Sequence, residues 1–278
     1  MHFDRVLMVQ EDASSRESLA RLLERKDRRL KEVADGAKAL EVLRTERVDL
    51  IVAGHARNGT DAMKLLRRFQ AVRPDTKVIL TGDPSPSRAI SAVRAHAYGY
   101  IHLPFSGSQV SDIVQQALDA SSWREDIRVL SGRPEWITMD VRCRLEAVER
   151  ATHLARELAS DLDASTCEDI TAAFRELLLN GIEHGGKSDP RKRVRVSVLR
   201  AAQSMMVHMR DPGKGFSFET IAHAAVSNPE NLPTLHAEIR ERRGQRPGGF
   251  GILMASHLVD ELLYNERGNE VFFVKKLP

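Results

Sequence analysis

The sequence predicts two α/β domains, the first built on a doubly wound parallel sheet and the second on an α/β sandwich. The chain has 278 residues, which suits two domains of about 100–150 residues better than one. Short apolar runs alternate with amphipathic stretches as far as residue 120, the pattern of parallel strands that are buried on both faces. After residue 135, two long helical stretches precede strands and glycine-rich turns.

The first half of the chain indicates five strands alternating with five helices, and hence a doubly wound sheet. Val6-Leu7-Met8-Val9 is an apolar run typical of a buried strand. Further strands are predicted at residues 49–53, 77–81 and 99–102, and helices at residues 14–26, 36–46, 60–72, 86–96 and 108–120.

Residues at the strand ends resemble the receiver domain of two-component response regulators over about residues 3–120. Glu11 and Asp12 stand where that family keeps an acidic pair for Mg²⁺, and the alternative is a solvated pair at the end of a strand. Thr81 ends the fourth strand at the place of the family's switch hydroxyl, and Pro104 and Phe105 match the turn after the fifth strand. The resemblance implies a flavodoxin-like fold.

Two positions depart from the receiver pattern. Gly54 stands where the family has its phospho-accepting aspartate, and Leu103 replaces the lysine that contacts the acyl phosphate. Glycine offers no group to phosphorylate, and leucine cannot neutralise a phosphoryl group. The first domain is therefore predicted to be a pseudo-receiver. His55 and Arg57 either occupy the emptied pocket or belong to a surface loop.

A linker is predicted at residues 121–135, so that the domains span residues 1–120 and 136–278. In the second domain, residues 136–142 alternate as a strand does, and residues 145–162 form an amphipathic helix. A second helix starts at Ser165 or Thr166. Strands follow at residues 193–199 and 205–209, and a hairpin at residues 261–277 turns at residues 267–269.

Three motifs carry the candidate chemistry of the second domain. On the second helix, Glu176, Asn180 and His184 are spaced by four residues, and this spacing places them on one helical face. A turn with an acid and two glycines, and a glycine-rich helix start, come later in the chain. Glycines at such places allow backbone to approach a flat ligand or phosphates closely. These two motifs contain Asp211, Gly213 and Gly215, and Gly248, Gly249 and Gly251.

In this order the three motifs resemble the ATP-binding domain shared by histidine kinases, type II topoisomerases and Hsp90-like chaperones, over about residues 136–278. The match is best to the anti-sigma-factor serine/threonine kinase branch. The resemblance implies that Asn180 holds Mg²⁺ and that Glu176 orients or deprotonates the attacking hydroxyl. It implies that Asp211 accepts the adenine amino proton. Gly213 and Gly215 would lie against the base, and Gly249 and Gly251 would cradle the phosphates.

Two parts of this second domain stay open. His184 either contacts phosphate or has a capping or packing role. Residues 217–247 form the lid over the nucleotide, where Arg240, Arg242, Arg243 and Arg246 either reach phosphates or lie on an exposed basic helix.

The resemblance favours a kinase that phosphorylates a STAS-type anti-anti-sigma protein and binds it or a sigma factor, with homodimerisation as a further possibility. One alternative is an inactive module whose partner-binding surface is set by nucleotide. Another is a histidine-kinase-type ATPase that acts in trans on a separate protein.

Composition limits the classes of binding partner and the cellular compartments that are expected for this protein. The net charge is only +3, which gives no ground for direct nucleic-acid binding. Two cysteines make no disulfide framework, and the amino terminus lacks the pattern of a signal peptide. No apolar run approaches the roughly 18 residues of a membrane span. A cytoplasmic protein without membrane contact is expected.

Overall fold

The computed structural model describes residues 3–54, 62–133, 135–216, 242 and 250–278. The chain divides into two compact units, Met1–Arg124 and Glu125–Pro278. No helix among the described residues has both the length and the apolar character needed to cross a membrane.

The first unit has a five-stranded parallel sheet in the order β2-β1-β3-β4-β5, and the predicted doubly wound fold is confirmed. Its strands are β1 (Asp4–Val9), β2 (Arg28–Val33), β3 (Leu50–Gly54), β4 (Lys77–Gly82) and β5 (Gly99–His102). Its helices are α1 (Ala13–Leu23), α2 (Gly36–Thr45), α3 (Ala62–Val72), α4 (Pro86–Arg94) and α5 (Gly107–Asp119).

The burial of their side chains explains which strands of this sheet could be predicted from the sequence. Every residue of β3 is buried, and β1 is buried from Val6 to Val9, so both strands appear as apolar runs. β2 has the sequence RRLKEV and lies at the sheet edge. An edge strand needs backbone pairing but little burial, and no bounds were predicted for β2 for that reason.

The second unit has a six-stranded antiparallel sheet in the order β10-β11-β9-β8-β7-β6. Helices α6 and α7 pack against each other, and α7 also packs against α8. The strands are β6 (Ile127–Arg133), β7 (Trp136–Arg142), β8 (Arg193–Ala201), β9 (Ser204–Arg210), β10 (Glu261–Tyr264) and β11 (Glu270–Lys276). The helices are α6 (Leu145–Leu158), α7 (Ala164–Asn180) and α8 (Gly251–Leu258), with a π-helical turn at Gly181–Gly185.

The predicted linker at residues 121–135 is wrong in its second part. The units divide between Arg124 and Glu125, and Ile127–Arg133 forms β6, which pairs with β7 across a bulge between Val129 and Ser131. Only Ile127 is fully buried in this edge strand. The missing alternation of buried and exposed residues made it resemble an irregular segment.

Capping explains the start of α7, the helix that carries the candidate residues. Asp163 is the N-cap, and its carboxylate accepts from the backbone N–H of Thr166 at 3.0 Å. The helix therefore begins at Ala164, one residue before the predicted start. Its apolar side is buried through Phe174, Leu177 and Leu178, which leaves the opposite side for polar groups.

Candidate functional site

Glu176 and Asn180 lie one turn apart at the end of α7. Both are partly exposed, and the Glu176 side chain is 23% exposed. His184 is exposed in the π-helical turn, where the N–H of Gly186 donates to the Gly181 carbonyl at 2.8 Å. This bond spans five residues, so the four-residue register of an α-helix does not continue through the turn. Glu176 and Asn180 lie on one face, as predicted, and the position of His184 relative to that face stays a prediction.

The start of α8 lies directly beside these two residues. A Cβ placed on Gly251 would lie 2.9 Å from Glu176 Oε2 and 3.4 Å from Asn180 Nδ2. A larger residue would fill this space, so glycine keeps it open. The first backbone N–H groups of a helix have no partner within the helix and suit anionic groups. Gly249, predicted to share this role, lies outside the described residues with Gly248.

Asp211 follows β9 and forms a second group of contacts. Its Oδ1 accepts from the Gly213 N–H at 2.7 Å, and its own N–H donates to the Asn269 carbonyl at 3.0 Å. Burial raises the pKa of the Asp211 carboxyl, and the Gly213 N–H opposes this effect. The carboxylate is therefore fixed by backbone and partly removed from water.

Gly185 packs on Asp211 so closely that only glycine fits. A Cβ at Gly185 would lie 2.1 Å from Asp211 Oδ1, and one at Gly213 would lie 2.8 Å from Gly185 Cα. The end of the π-helical turn and the turn after β9 therefore pack directly against each other. No role was predicted for Gly185, although two consecutive glycines after His184 signal a close backbone approach.

Gly215 requires glycine for a reason that involves no ligand. It adopts φ +82°, and its Cβ would lie 1.7 Å from the Arg267 carbonyl oxygen. In return, a Cβ at Gly268, with φ +72°, would lie 2.0 Å from the Phe216 carbonyl oxygen. The two turns therefore interlock through backbone. Gly215 was predicted to lie against a base, and the structure accounts for it by this packing.

Two aromatic rings lie next to the Asp211 turn. Phe216 and Tyr264 meet edge to face, with ring centroids 5.2 Å apart at 66°. Burial raises the pKa of the Tyr264 hydroxyl well above its ordinary value, and the Asp211 charge adds to the effect. Tyr264 was not predicted as a site residue, because a tyrosine in a hairpin strand has no distinguishing sequence signal.

An arginine adjoins the Glu176 carboxylate. Arg175 Nη1 lies 3.3 Å from Glu176 Oε1, and Arg175 also pairs with Glu149 of α6. The hydrogen bonds and charge of Glu149 are the main cause that raises the pKa of the Arg175 guanidinium. Neither Arg175 nor Glu149 was predicted to belong to the site.

In the first unit, the place of the expected phospho-acceptor is filled from a neighbouring strand. Gly54 is the last residue of β3, and its Cβ would lie only 1.4 Å from Gln10 Oε1. Gln10 is 4% exposed, and its Oε1 has no hydrogen-bond partner among the described residues. Thr81 pairs with Gly54 in register, and its buried Oγ1 also lacks a partner in the part of the chain that the structure describes. The side chain of Gln10 thus stands where an aspartate would begin.

One carboxylate of the acidic pair caps a helix. Asp12 is the N-cap of α1, and its carboxylate accepts from the Ser15 N–H at 2.8 Å. This contact holds one of the two carboxylates at the start of α1. His55 and Arg57, offered as occupants of the emptied pocket, lie outside the described residues. Of the lid arginines, only Arg242 is among the described residues, and it is exposed.

Comparison with known proteins gives a different domain family for each unit. Residues 141–275 match the histidine kinase-like ATPase domain, and residues 6–115 match the response regulator receiver domain. The two units match two different domain families. The sheet order 2-1-3-4-5 of the first unit is the flavodoxin-like order, and the antiparallel sheet of the second accords with the ATPase match. Together the matches indicate an ATP-binding signalling protein.

Similar proteins of known sequence match about a third of the chain. The transcriptional regulatory protein GlrR of Escherichia coli (strain K12) is 30% identical over 99 residues, which are 33% of this chain and 22% of that protein. The response regulator MprA of Mycobacterium ulcerans (strain Agy99) is 29% identical over 103 residues, which are 37% of this chain and 44% of that protein. The matched part of the chain thus spans less than half the length of these relatives.

Two solved structures match about two fifths of the chain. The chemotaxis response regulator CheY4 of Vibrio cholerae is 21% identical, with a TM-score of 0.38, over 42% of this chain and 99% of that one. The signal receiver domain of an HD domain-containing protein from Pseudomonas fluorescens Pf-5 is 25% identical, with a TM-score of 0.40, over 43% and 89%.

Proposed function

We propose that the second unit is a protein serine/threonine kinase of the anti-sigma-factor type, which uses ATP and Mg²⁺. The observation that carries this proposal is the meeting of Glu176, Asn180 and Gly251. An acid able to act on a hydroxyl, an amide able to bind a metal, and a helix start suited to phosphates lie within one small region.

The residues present fit a nucleotide and a hard metal ion. Gly251 leaves open the space that a Cβ would fill, and the half-buried Asp211 carboxylate is held by backbone. Asn180 would hold Mg²⁺ through its amide oxygen, and Asp211 would accept from the adenine amino group. When bound, Mg²⁺ neutralises charge on the phosphates.

The chemical role in this proposal belongs to Glu176. Phosphoryl transfer breaks the bond between the γ-phosphorus and the ADP oxygen, and forms one to the substrate hydroxyl oxygen. The hydroxyl proton must leave, and Glu176 would receive it. The remaining requirement is positioning, which the packed ends of α7 and α8 supply.

The partner class follows from the same proposal. A STAS-type anti-anti-sigma protein would be the substrate, and that protein or a sigma factor the binding partner. A cytoplasmic setting and a homodimer fit such a switch. The receiver-like unit would then act as a regulatory surface without accepting phosphate.

One observation favours a second candidate, a nucleotide-gated binding module without catalysis. Gln10 fills the space beside Gly54, where a receiver has its phospho-acceptor, and this supports a receiver-like fold that is retained without the chemistry usual at that place. A kinase acting in trans on a histidine is a third candidate. Acid treatment of the phosphorylated partner distinguishes this candidate from a serine/threonine kinase, because phosphohistidine is labile to acid.

The test combines Glu176→Ala with Asn180→Ala. Glu176→Ala should abolish γ-phosphoryl transfer to STAS-type proteins of the same genome while ATP binding, measured by calorimetry, is kept. Asn180→Ala should weaken Mg²⁺-dependent binding by about 100-fold, or roughly 3 kcal/mol. Binding by the wild type without transfer to any partner would favour the binding module. Transfer that survives Glu176→Ala would contradict the role of Glu176.

A further inference from the structure

The guanidinium of Arg175 joins two carboxylates that belong to different helices. Its Nε lies 3.0 Å from Glu149 Oε1 and 3.3 Å from Oε2, while Nη2 lies 2.5 Å from Oε1. Its Nη1 lies 3.3 Å from Glu176 Oε1. A guanidinium is planar and carries its donors on separate edges. One edge therefore binds α6, and another edge reaches Glu176.

Sequence proximity alone does not produce this contact. Consecutive residues on an α-helix point about 100° apart, and their side chains do not face each other. Arg175 reaches its own neighbour because Glu149, on another helix, holds the guanidinium in place. Arg175 is 41% exposed and Glu149 36% exposed, so solvent screens this ion pair and it adds little to stability. Its main consequence is the orientation of a side chain.

The two oxygens of Glu176 have different surroundings. Oε1 faces the Arg175 guanidinium. Oε2 lies on the side of Gly251, where an added Cβ would be 2.9 Å away and Asn180 is the next neighbour. One oxygen is thus held, and the other is presented to the region that carries the proposed chemistry.

We infer that Arg175, anchored by Glu149, is a positioning residue that binds Oε1 of Glu176 and directs Oε2 toward the reacting hydroxyl. This inference rests on the proposed kinase function, in which that oxygen receives the hydroxyl proton. It adds a residue pair to the site that acts through Glu176 and touches no substrate.

Arg175→Ala tests the inference in the full-length chain, with Arg195→Ala as the matched control. Arg195 forms a similar two-pronged pair with Asp140, at 2.9 and 3.2 Å, between strands β8 and β7. For Arg175→Ala, kcat of phosphoryl transfer should fall by about 10- to 100-fold because the base is misplaced. KM for ATP should stay within about twofold, since ground-state binding is untouched. Arg195→Ala should change neither.

Two more variants separate positioning from folding. Arg175→Lys keeps one donor but loses the fork, so it should recover part of kcat. Glu149→Gln removes the anchor charge and should lower kcat less than Arg175→Ala. The inference would be overturned if Arg175→Ala had a lower Tm but the same kcat as Arg195→Ala. Arg175 would then only link the two helices.

A second readout does not depend on transfer. The side-chain carboxyl carbon of Glu176, labelled with ¹³C and assigned by its loss in Glu176→Gln, reports the surroundings of this carboxylate. Its NMR shift should change in Arg175→Ala and stay unchanged in Arg195→Ala. Wild-type protein that transfers no phosphate would contradict the proposed function, and the NMR comparison would still decide whether Arg175 holds Glu176. An unchanged shift in Arg175→Ala would overturn the inference.

Discussion

The two units differ in the groups that surround one glycine in each, Gly54 in the first unit and Gly251 in the second. At Gly54 of the first unit, the space of a side chain is taken by Gln10 Oε1, 1.4 Å from where a Cβ would be. At Gly251 of the second unit, the neighbours are polar groups of Glu176 and Asn180, at 2.9 Å and beyond. Close packing explains the first case, since protein interiors leave few voids. In the second case polar groups border the space, and the proposed function places the chemistry there.

The largest expected effect concerns the filled space at Gly54. Gly54→Ala should destabilise the protein by about 1–3 kcal/mol, because the new methyl group overlaps the Gln10 carboxamide in a closed interior. Gln10→Ala should remove this penalty when the two are combined. A double-mutant cycle in urea, followed by a probe in the first unit, measures the coupling.

Two results would weaken the comparison. Additive effects of Gly54→Ala and Gln10→Ala would mean that Gln10 does not occupy the acceptor space. Acid-labile incorporation of phosphate from acetyl phosphate into residues 1–120 of the wild type would contradict the predicted pseudo-receiver. Gly54→Asp alone should incorporate none, since Leu103 cannot neutralise a phosphoryl group.

The next effect concerns the close packing of Gly185 against Asp211. Gly185→Ala should lower ATP affinity by about tenfold, roughly 1.4 kcal/mol, because its Cβ would displace the Asp211 carboxylate. Gly107→Ala is the control, since its Cβ meets only a leucine methyl group of Leu22 at 3.3 Å. Calorimetry on both variants measures the difference. Equal affinity in Gly185→Ala and wild type would mean that Asp211 does not bind the nucleotide in this position.

The smallest effect is a pH dependence that originates at Asp211. Burial raises the pKa of this carboxyl in the folded state, so its charge costs stability once it ionises. That cost is absent below the unfolded-state pKa of about 3.9 and grows as pH rises through the folded-state pKa. Asp211→Asn should therefore gain stability relative to wild type as pH rises from about 4 toward neutrality.

Urea unfolding at several pH values checks this prediction. Asp140→Asn is the control for removal of a carboxylate, because Asp140 pairs with Arg195 at the surface of the sheet. A stability difference between Asp211→Asn and wild type that stays constant with pH would contradict the sign of the shift. The expected result would show that the site keeps a charge at a cost in stability, as functional sites commonly do.

Much of the fold was predictable because burial leaves a pattern in sequence. The buried strands β1, β3 and β4 appear as apolar runs, and their alternation with helices predicts a parallel, doubly wound sheet. The edge strands β2 and β6 were missed or assigned to a linker, because backbone pairing holds them and few of their side chains are buried. Edge strands carry little periodic signal for this reason.

By itself, the sequence determined the polar residue types and their local spacing. The four-residue spacing of Glu176 and Asn180 within one helix, and the glycines of the later turns, can be recognised without coordinates because local geometry governs them. Only the tertiary structure decided which distant groups meet. It placed Gln10 in the space beside Gly54, Gly185 against Asp211, and Glu149 beside Arg175. These contacts join separate elements, and the packing that creates them leaves no periodic trace along the chain.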